Sequence, residues 1–421
     1  MAESHPGVVI LSFEDARRVV EGQAALVRAP QLETSDLVGA TGRVLGEGIV
    51  ADRDIPPFPR SARDGFAVRV VDLSHIPAKL KVVGEIRAGE KPEHIPARLN
   101  SGEAVSIMTG APVPASADAV VMVEYTSSQG DYVEISKSAT AGENIVARGS
   151  EAREGSMLLR PGTRLNEAAI GLAATAGKDR LEIYQRPQVA VLSTGDEIVP
   201  VEATPGPTQI RNSNSYSLAA QILEAGAIPV LLPIAPDEPR RLRQLIEQGL
   251  RADLLLLAGG VSMGKYDLVE QILGEMHAEF FFTGAKIQPG RPVVFGKVPF
   301  GAESPGGGSS KYFFGLPGNP VSTMVTFELF ARPMIEALGG MSPRKLMFVH
   351  ARLKCEIRVK TGLKRFLPAL LSGEFECSQV ELLAWQGSGD MAATARANCY
   401  VVVPPDREHI AAGEFVAVMM R

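Results

Sequence analysis

Three short stretches hold most of the residues that could do chemistry: STGDE (193–197), AGGVSMGKYD (258–267) and GLPGNPVS (315–322). Each follows an apolar run and joins glycines to hydroxyl or carboxylate side chains. Glycine lets backbone N–H groups come close to a ligand, and turns of this kind at strand ends and helix starts hold anions. Together the three describe a pocket for an anionic, phosphorylated molecule plus a divalent cation. Taken singly, each also reads as an ordinary turn or cap. No Walker motif is present and G-x-G-x-x-G is missing from the first of the three turns, which argues against an ordinary nucleotide hydrolase or a dehydrogenase. His5, His75, His94, His277, His350 and His409 show no ligand spacing, and Cys355, Cys377 and Cys399 form no Cys-x-x-Cys pair. A metal here is therefore expected to be hard and held by oxygen, with neither a zinc site nor a disulfide framework.

For three turns to meet, the runs before them must lie side by side. VAVLST (189–194), IPVLLPI (228–234) and DLLLLAGG (253–260) read as strands, the first as a buried parallel one. Helices are expected over 215–226, with Asn214 as N-cap, and from Asp237, with Leu242, Leu245, Ile246 and Leu250 on one stripe. Others are expected over 266–277 and from Pro320 towards Leu338. This alternation predicts a doubly wound α/β domain over 188–341, with ligands beyond the carboxyl ends of its strands.

Upstream, Ser12 and Asp15 predict a capped helix with Ala16, Val19, Val20 and Val27 on one stripe, and a second helix is expected after Ser35 with Leu37, Ala40, Val44 and Leu45 inward. From about Arg53 to Gly142, runs such as KLKVVGEI (79–86) and YVEISKS (132–138), broken by Gly and Pro, predict a separate β domain. Strands return after Ser342, and AESPGGGSS (302–310) reads as a surface loop.

The chain has 421 residues, more than one core usually supports, so two to four domains are expected. With 45% hydrophobic and 22% charged residues it has a folded composition. Its net charge of -5 offers no footprint for nucleic acid. MAESHPGVVILSF at the start lacks a basic region and no run approaches the ~18 apolar residues of a membrane span, so a cytoplasmic location away from the membrane is expected.

PPFPRSARDGFAV (56–68), IMTGAPVPASADAVVMVE (107–124), GENIVARGSEAREGSMLLRPGTRL (142–165), VAVLSTGDEIV (189–199), LLLLAGGVSMGKYDLV (254–269) and FGLPGNPVSTMVTFELFARP (314–333) resemble successive signatures of the molybdopterin molybdenumtransferase family, which includes the E domain of gephyrin. The resemblance implies a multidomain α/β plus β fold. An elongated N-terminal domain would be assembled from 1–58 and 147–187, a β domain would occupy 59–146, the doubly wound α/β molybdopterin-binding domain 188–341 and a C-terminal β barrel 342–421. It also implies a homodimer whose active site lies between the α/β domain of one subunit and the β domain of the other. The implied reaction takes adenylylated molybdopterin and molybdate as substrates, inserts the metal and releases AMP with the help of Mg2+. Molybdopterin adenylyltransferase and apo-molybdoenzymes are the implied partners.

By position in the matching motifs, Asp64, Thr109, Glu197, Asp237 and Asp267 would form the catalytic set, with Asp64, Glu197 and Asp267 on the metal. Asp237 also makes a sensible helix N-cap, and Asp196 could share the work of Glu197. Gly259, Gly260, Ser262, Gly264, Pro317, Gly318, Asn319 and Pro320 would contact pterin and phosphate, joined by Arg291, Ser322 and Ser388. The chain departs from the family where a KPGKP-like stretch is usual: IQPGRP (287–292) keeps a cation at Arg291 but has Gln288 in place of the other. Pro368 stands where an Arg is expected, and Pro59 and Arg60 precede Ser61 in place of the usual Asp-Asn. Lys286, Lys364 and Arg365 are nearby cations that could substitute. These departures leave open a tungstate-preferring or divergent paralogue. An adenylyltransferase matching the α/β domain alone and a non-catalytic dimeric scaffold are the other readings.

Overall fold

The computed structural model describes residues 8–260, 268–300, 310–342, 344–374, 377–384 and 386–420. Ser262, Gly264 and Asp267, and all but the last residue of the 302–310 loop, lie outside the described residues.

The α/β domain is built on a six-stranded sheet in the order Ile228–Leu231, Gln188–Ser193, Leu254–Ala258, Ser310–Leu316, Val294–Pro299 and Glu279–Phe282. The first four strands are parallel, and Val294–Pro299 alone runs against the rest. Successive side chains on a strand point to opposite faces, and the apolar runs are buried because both faces are covered. Val189, Val191, Leu254 and Leu256 pack with Leu218 and Ile222 of the Asn214–Glu224 helix and with Val321 and Val325. Ala190, Leu192, Leu255 and Leu257 pack on the other side with Leu242 and Ile246 of Pro239–Gly249 and with Ile272 of Leu268–Glu275. This is the doubly wound arrangement expected from the βα alternation.

Two helix starts differ from expectation. Ser213 occupies the N-cap position before Asn214, and Glu238 the one after Asp237, neither with a side-chain cap bond. Asn214 is the first helical residue, and Asp237 is free for other work.

The helix from Pro320 runs through a π turn at Phe327–Ala331 into Arg332–Leu338. Pro333 has no N–H to donate to the carbonyl four residues back, that of Leu329. The Leu329 carbonyl instead accepts from the buried guanidinium of Arg17. Arg17 sits on the Phe13–Ala24 helix, whose N-cap Ser12 Oγ accepts from the Asp15 N–H at 3.0 Å as the sequence predicts. Burial pushes the Arg17 guanidinium below its usual pKa, and Glu21 at 2.8 Å opposes that shift. Phe13 of the same helix meets Phe330 at 6.1 Å and Phe366 at 5.4 Å between ring centroids, joining the α/β domain to the C-terminal domain.

The expected second helix after Ser35 does not form. Leu32–Asp36 is a strand paired antiparallel with Arg180–Tyr184, and turns follow it. Gly39 and Gly42 weaken a helix, and the backbone groups are taken by partners far along the chain, with Gly42 N donating to Leu165 O and Gly46 N to Glu182 O. Ala40 and Leu45 still point inward, in a core with Ile49, Leu165, Ala173 and Ile183.

The β domain holds a six-stranded sheet with Gly65–Val68 and Glu103–Ile107 adjacent and antiparallel. In the C-terminal domain, Lys364–Ser372, Gln379–Leu382, Phe348–Leu353, Phe415–Met420 and Cys399–Val403 pair in turn, and the last returns to the first to close a barrel. The two-residue strand Ile287–Gln288 of the α/β domain adds to this barrel in parallel, with Gln288 opposite Arg365. Among the described residues no helix is long and apolar enough to cross a membrane. Cys355, Cys377 and Cys399 are free.

Candidate active site

The sheet order places the three glycine-bearing turns together. From Gln188–Ser193 the chain moves to the edge strand Ile228–Leu231, then back across to Leu254–Ala258. The order thus reverses between two neighbours, and open α/β sheets bind ligands in the crevice at such a reversal. Thr194 N donates to Ala258 O at 3.2 Å and Gly259 N to Leu316 O at 3.1 Å, lacing the turns to one another. Gly259 and Gly260 have φ of +94° and +65°, and a Cβ on them would lie 2.8 Å from Thr194 O and 2.7 Å from Thr194 Cγ2. Only glycine permits this approach.

The turns enclose an open cleft of about 450 Å³ lined by residues of the 194–198 turn, the 210–214 stretch, Asp237, Gly259, Gly260, Pro292 and Pro317–Pro320. Among the described residues two carboxylates face it, Glu197 and Asp237. Thr194 Oγ1 donates to Asp237 Oδ1 at 3.2 Å, and the Asp237 N–H donates to Asp196 Oδ1 at 3.1 Å. Asp196 thus braces the backbone of Asp237 and faces a neighbouring hollow beside Tyr216 and Leu231.

Beneath the first turn lies a buried polar network. Ser193 Oγ donates to Asn212 Oδ1 at 3.2 Å, Asn212 Nδ2 to Ser215 Oγ at 2.9 Å, and Ser215 N to Asn212 Oδ1 at 3.1 Å. It fixes the start of the Asn214–Glu224 helix against the strand end. Asn214 Nδ2 donates to Gly318 O at 2.7 Å, tying that helix to the Pro317–Pro320 turn. Asn212, Asn214 and Pro292 line the cleft although sequence reasoning places none of them there. The polar run RNSN (211–214) before an apolar stripe is the sequence signal for the two asparagines, and Pro292 has none.

The remaining candidates sit elsewhere in the chain. The Asp64 carboxylate accepts from the Thr109 N–H at 2.6 Å and from its hydroxyl at 2.8 Å. Gly65 pairs with Ile107 across the antiparallel strands, which brings Asp64 and Thr109 to one end of the β-domain sheet. The backbone N–H of Thr109, then its hydroxyl, hold the Asp64 carboxyl below its usual pKa. Neither residue lines the cleft. Ser322 is buried within its helix and does not line the cleft, while the Ser388 carbonyl accepts from Val321 N at 3.0 Å. Arg291 is exposed beside the cleft-lining Pro292. Among the described residues no three His, Cys, Asp or Glu side chains cluster closely enough to hold a metal.

At the departures from the family pattern, Gln288 Oε1 accepts from Arg365 Nε at 2.8 Å, and Pro368 is buried in the barrel. Arg365 is 6% exposed and, among the described residues, has no carboxylate partner. Lys364 is engaged by Glu14 and lies over the Phe13 ring.

Three family descriptions match in succession: the MoeA N-terminal region (domain I and II) over residues 11–177, a probable molybdopterin binding domain over 190–337, and the MoeA C-terminal region (domain IV) over 350–420. A molybdopterin molybdenumtransferase of Nostoc sp. is 32% identical over 425 residues, covering 99% of this chain and 95% of its own length. The chain belongs to the molybdopterin molybdenumtransferase family. Its Bacillus subtilis relative, also a molybdopterin molybdenumtransferase, is 31% identical over 97% of this chain and 93% of its own length. A molybdopterin biosynthesis MoeA protein from Pyrococcus horikosii shares the fold with a TM-score of 0.68 at 31% identity, covering 98% of this chain and 99% of its own. Membership of a molybdopterin molybdenumtransferase family spans the whole chain, so the narrower reading as an adenylyltransferase that resembles the α/β domain alone loses its support.

Proposed function

We propose that this protein inserts molybdate into adenylylated molybdopterin in the cleft at the sheet reversal, releasing AMP with the help of Mg2+. The observation that carries the reading is the convergence of the Thr194–Glu197, Gly259–Gly260 and Pro317–Pro320 turns on one cleft with two carboxylates. Backbone N–H groups at such turns, and at the nearby start of the Asn214 helix, suit phosphate oxygens. The oxygen donors present fit a hard cation, and Glu197 and Asp237 are the residues that would hold it, with Thr194 orienting Asp237. Mg2+ bound there supplies charge neutralisation at the phosphate oxygens as the anhydride opens. The protein's own part is to position the two substrates, and no nucleophilic side chain is required.

In this reading the protein is a homodimer, and Asp64 and Thr109 of a second copy complete the cleft, which accounts for an ordered carboxylate–hydroxyl pair that does not line it within one chain. Arg365, steered by Gln288, is the cation that meets the charge of molybdate in place of the family's usual Lys. The enzyme would work in the cytoplasm, receiving its substrate from an adenylyltransferase and passing product to apo-molybdoenzymes. Glu197→Ala and Asp237→Ala should each abolish Mg2+-dependent AMP release while the fold persists; near wild-type turnover in both would overturn the assignment.

A further inference from the structure

We propose that Asn214 is a binding residue of the cleft, whose Oδ1 accepts a hydrogen bond from an N–H or O–H donor on the ligand. The side chain is 7% exposed and lines the cleft. Its Nδ2 faces the Gly318 carbonyl at 2.7 Å. A carbonyl can only accept, so the nitrogen must lie on that side and the orientation of the amide is fixed. The other end, Oδ1, is buried and has no hydrogen-bond partner among the described residues. Buried acceptors are ordinarily paired, and an unpaired one destabilises the fold that holds it. Ser193, Asn212 and Ser215 lock the helix start beneath, so the acceptor is held in place before any ligand arrives.

The chemistry of an acceptor selects the ligand group. Phosphoanhydride oxygens and molybdate are themselves acceptors and cannot satisfy Oδ1, whereas the amino or lactam N–H of a heterocycle, or a sugar hydroxyl, can. The inference rests on the reading of the cleft given above, and it assigns Asn214 to an uncharged, donor-bearing part of the substrate. The glycine-rich turns are left to the phosphates.

Calorimetric titration of the full-length protein with AMP, neopterin and inorganic pyrophosphate tests it, using Asn214→Ala and Asn214→Asp. Aspartate keeps an acceptor oxygen but loses the donor to Gly318. In Asn214→Ala, affinity for one donor-bearing probe should fall about tenfold relative to pyrophosphate, the effect of losing one hydrogen bond. Retained pyrophosphate binding would show that the cleft is still formed. In Asn214→Asp that ratio should not fall. A loss confined to AMP places the donor on the nucleotide, and one confined to neopterin places it on the pterin. If Asn214→Ala weakens all three probes equally, or none, Asn214 is only a tie between two elements and the proposal is wrong. If the wild type binds none of the three, the reading of the cleft fails first, and this inference with it.

Discussion

Replacing Gln288 by Lys puts a second cation beside a buried one. The wild-type amide oxygen accepts from Arg365 Nε at 2.8 Å, and burial already holds the Arg365 guanidinium below its usual pKa. The variant forfeits a hydrogen bond to a charged group, about 1.5–3 kcal/mol. It adds a repulsion of about 4 kcal/mol for unit charges ~4 Å apart at an effective dielectric constant near 20. Gln288 is exposed, so a lysine there can turn towards solvent and shed much of that repulsion. A net loss of about 2 kcal/mol is expected, or roughly 4–8 °C in melting temperature for a domain of this size. If molybdate, a dianion, sits between the two cations as proposed, it should restore the loss, so its stabilising shift should be larger in the variant than in the wild type. The molybdate concentration for half-maximal insertion should fall. Scanning calorimetry at low salt, with and without molybdate, measures both shifts. A ligand-free Gln288→Lys protein as stable as the wild type would mean that position 288 does not sense Arg365.

Gly259→Ala directs a Cβ to within 2.8 Å of the Thr194 carbonyl at a φ of +94°, and should cost about 1–3 kcal/mol in strain while opening the turns. Pyrophosphate affinity should drop, and an unchanged affinity would remove the close approach from the account. Asp64 has a lowered pKa in the folded protein, so its contribution to stability is full above the unfolded carboxylate value and is lost as pH falls through the folded one. Thr109→Val keeps the backbone N–H but deletes the hydroxyl donor, so a carboxyl NMR titration should find Asp64 moved up towards its ordinary range; no movement would mean the hydroxyl bond is not made in solution. If the site is shared between subunits, Asp64→Ala and Glu197→Ala variants are each inactive, and mixed dimers recover one intact site. Random mixing should return about a quarter of wild-type activity, and no recovery would place the whole site within one chain.

The elements that build the cleft are legible in the sequence because both their faces are buried. Continuous apolar runs at 189–194 and 253–260 leave little choice but a covered parallel strand, and the glycines after them mark the turns. The region after Ser35 misleads for the opposite reason. Its apolar spacing imitates a helix, but Leu32–Asp36 finds its partner at Arg180–Tyr184, and pairing across that separation leaves no local trace. The π turn at Phe327–Ala331 is hidden in the same way, since the donor to Leu329 comes from Arg17, 312 residues earlier. Within the site, Asp237 reads equally well as a cap or a ligand, and the packing of Thr194 and Asp196 around it favours the second. Asn214 reads as a cap because polar residues at helix starts usually are caps. The Gln288 and Arg365 contact needs the register of a two-residue strand on a barrel in another domain, which neither segment encodes alone.

Incubating the purified protein with adenylylated molybdopterin, Mg2+ and either molybdate or tungstate, then measuring AMP released and activity restored to an apo-molybdoenzyme, tests the proposed insertion itself. AMP release should depend on both Mg2+ and molybdate and match the cofactor delivered. Release with tungstate alone would redirect the metal assignment, and no release with either oxyanion, from a protein that still binds the adenylylated pterin, would contradict the proposed reaction.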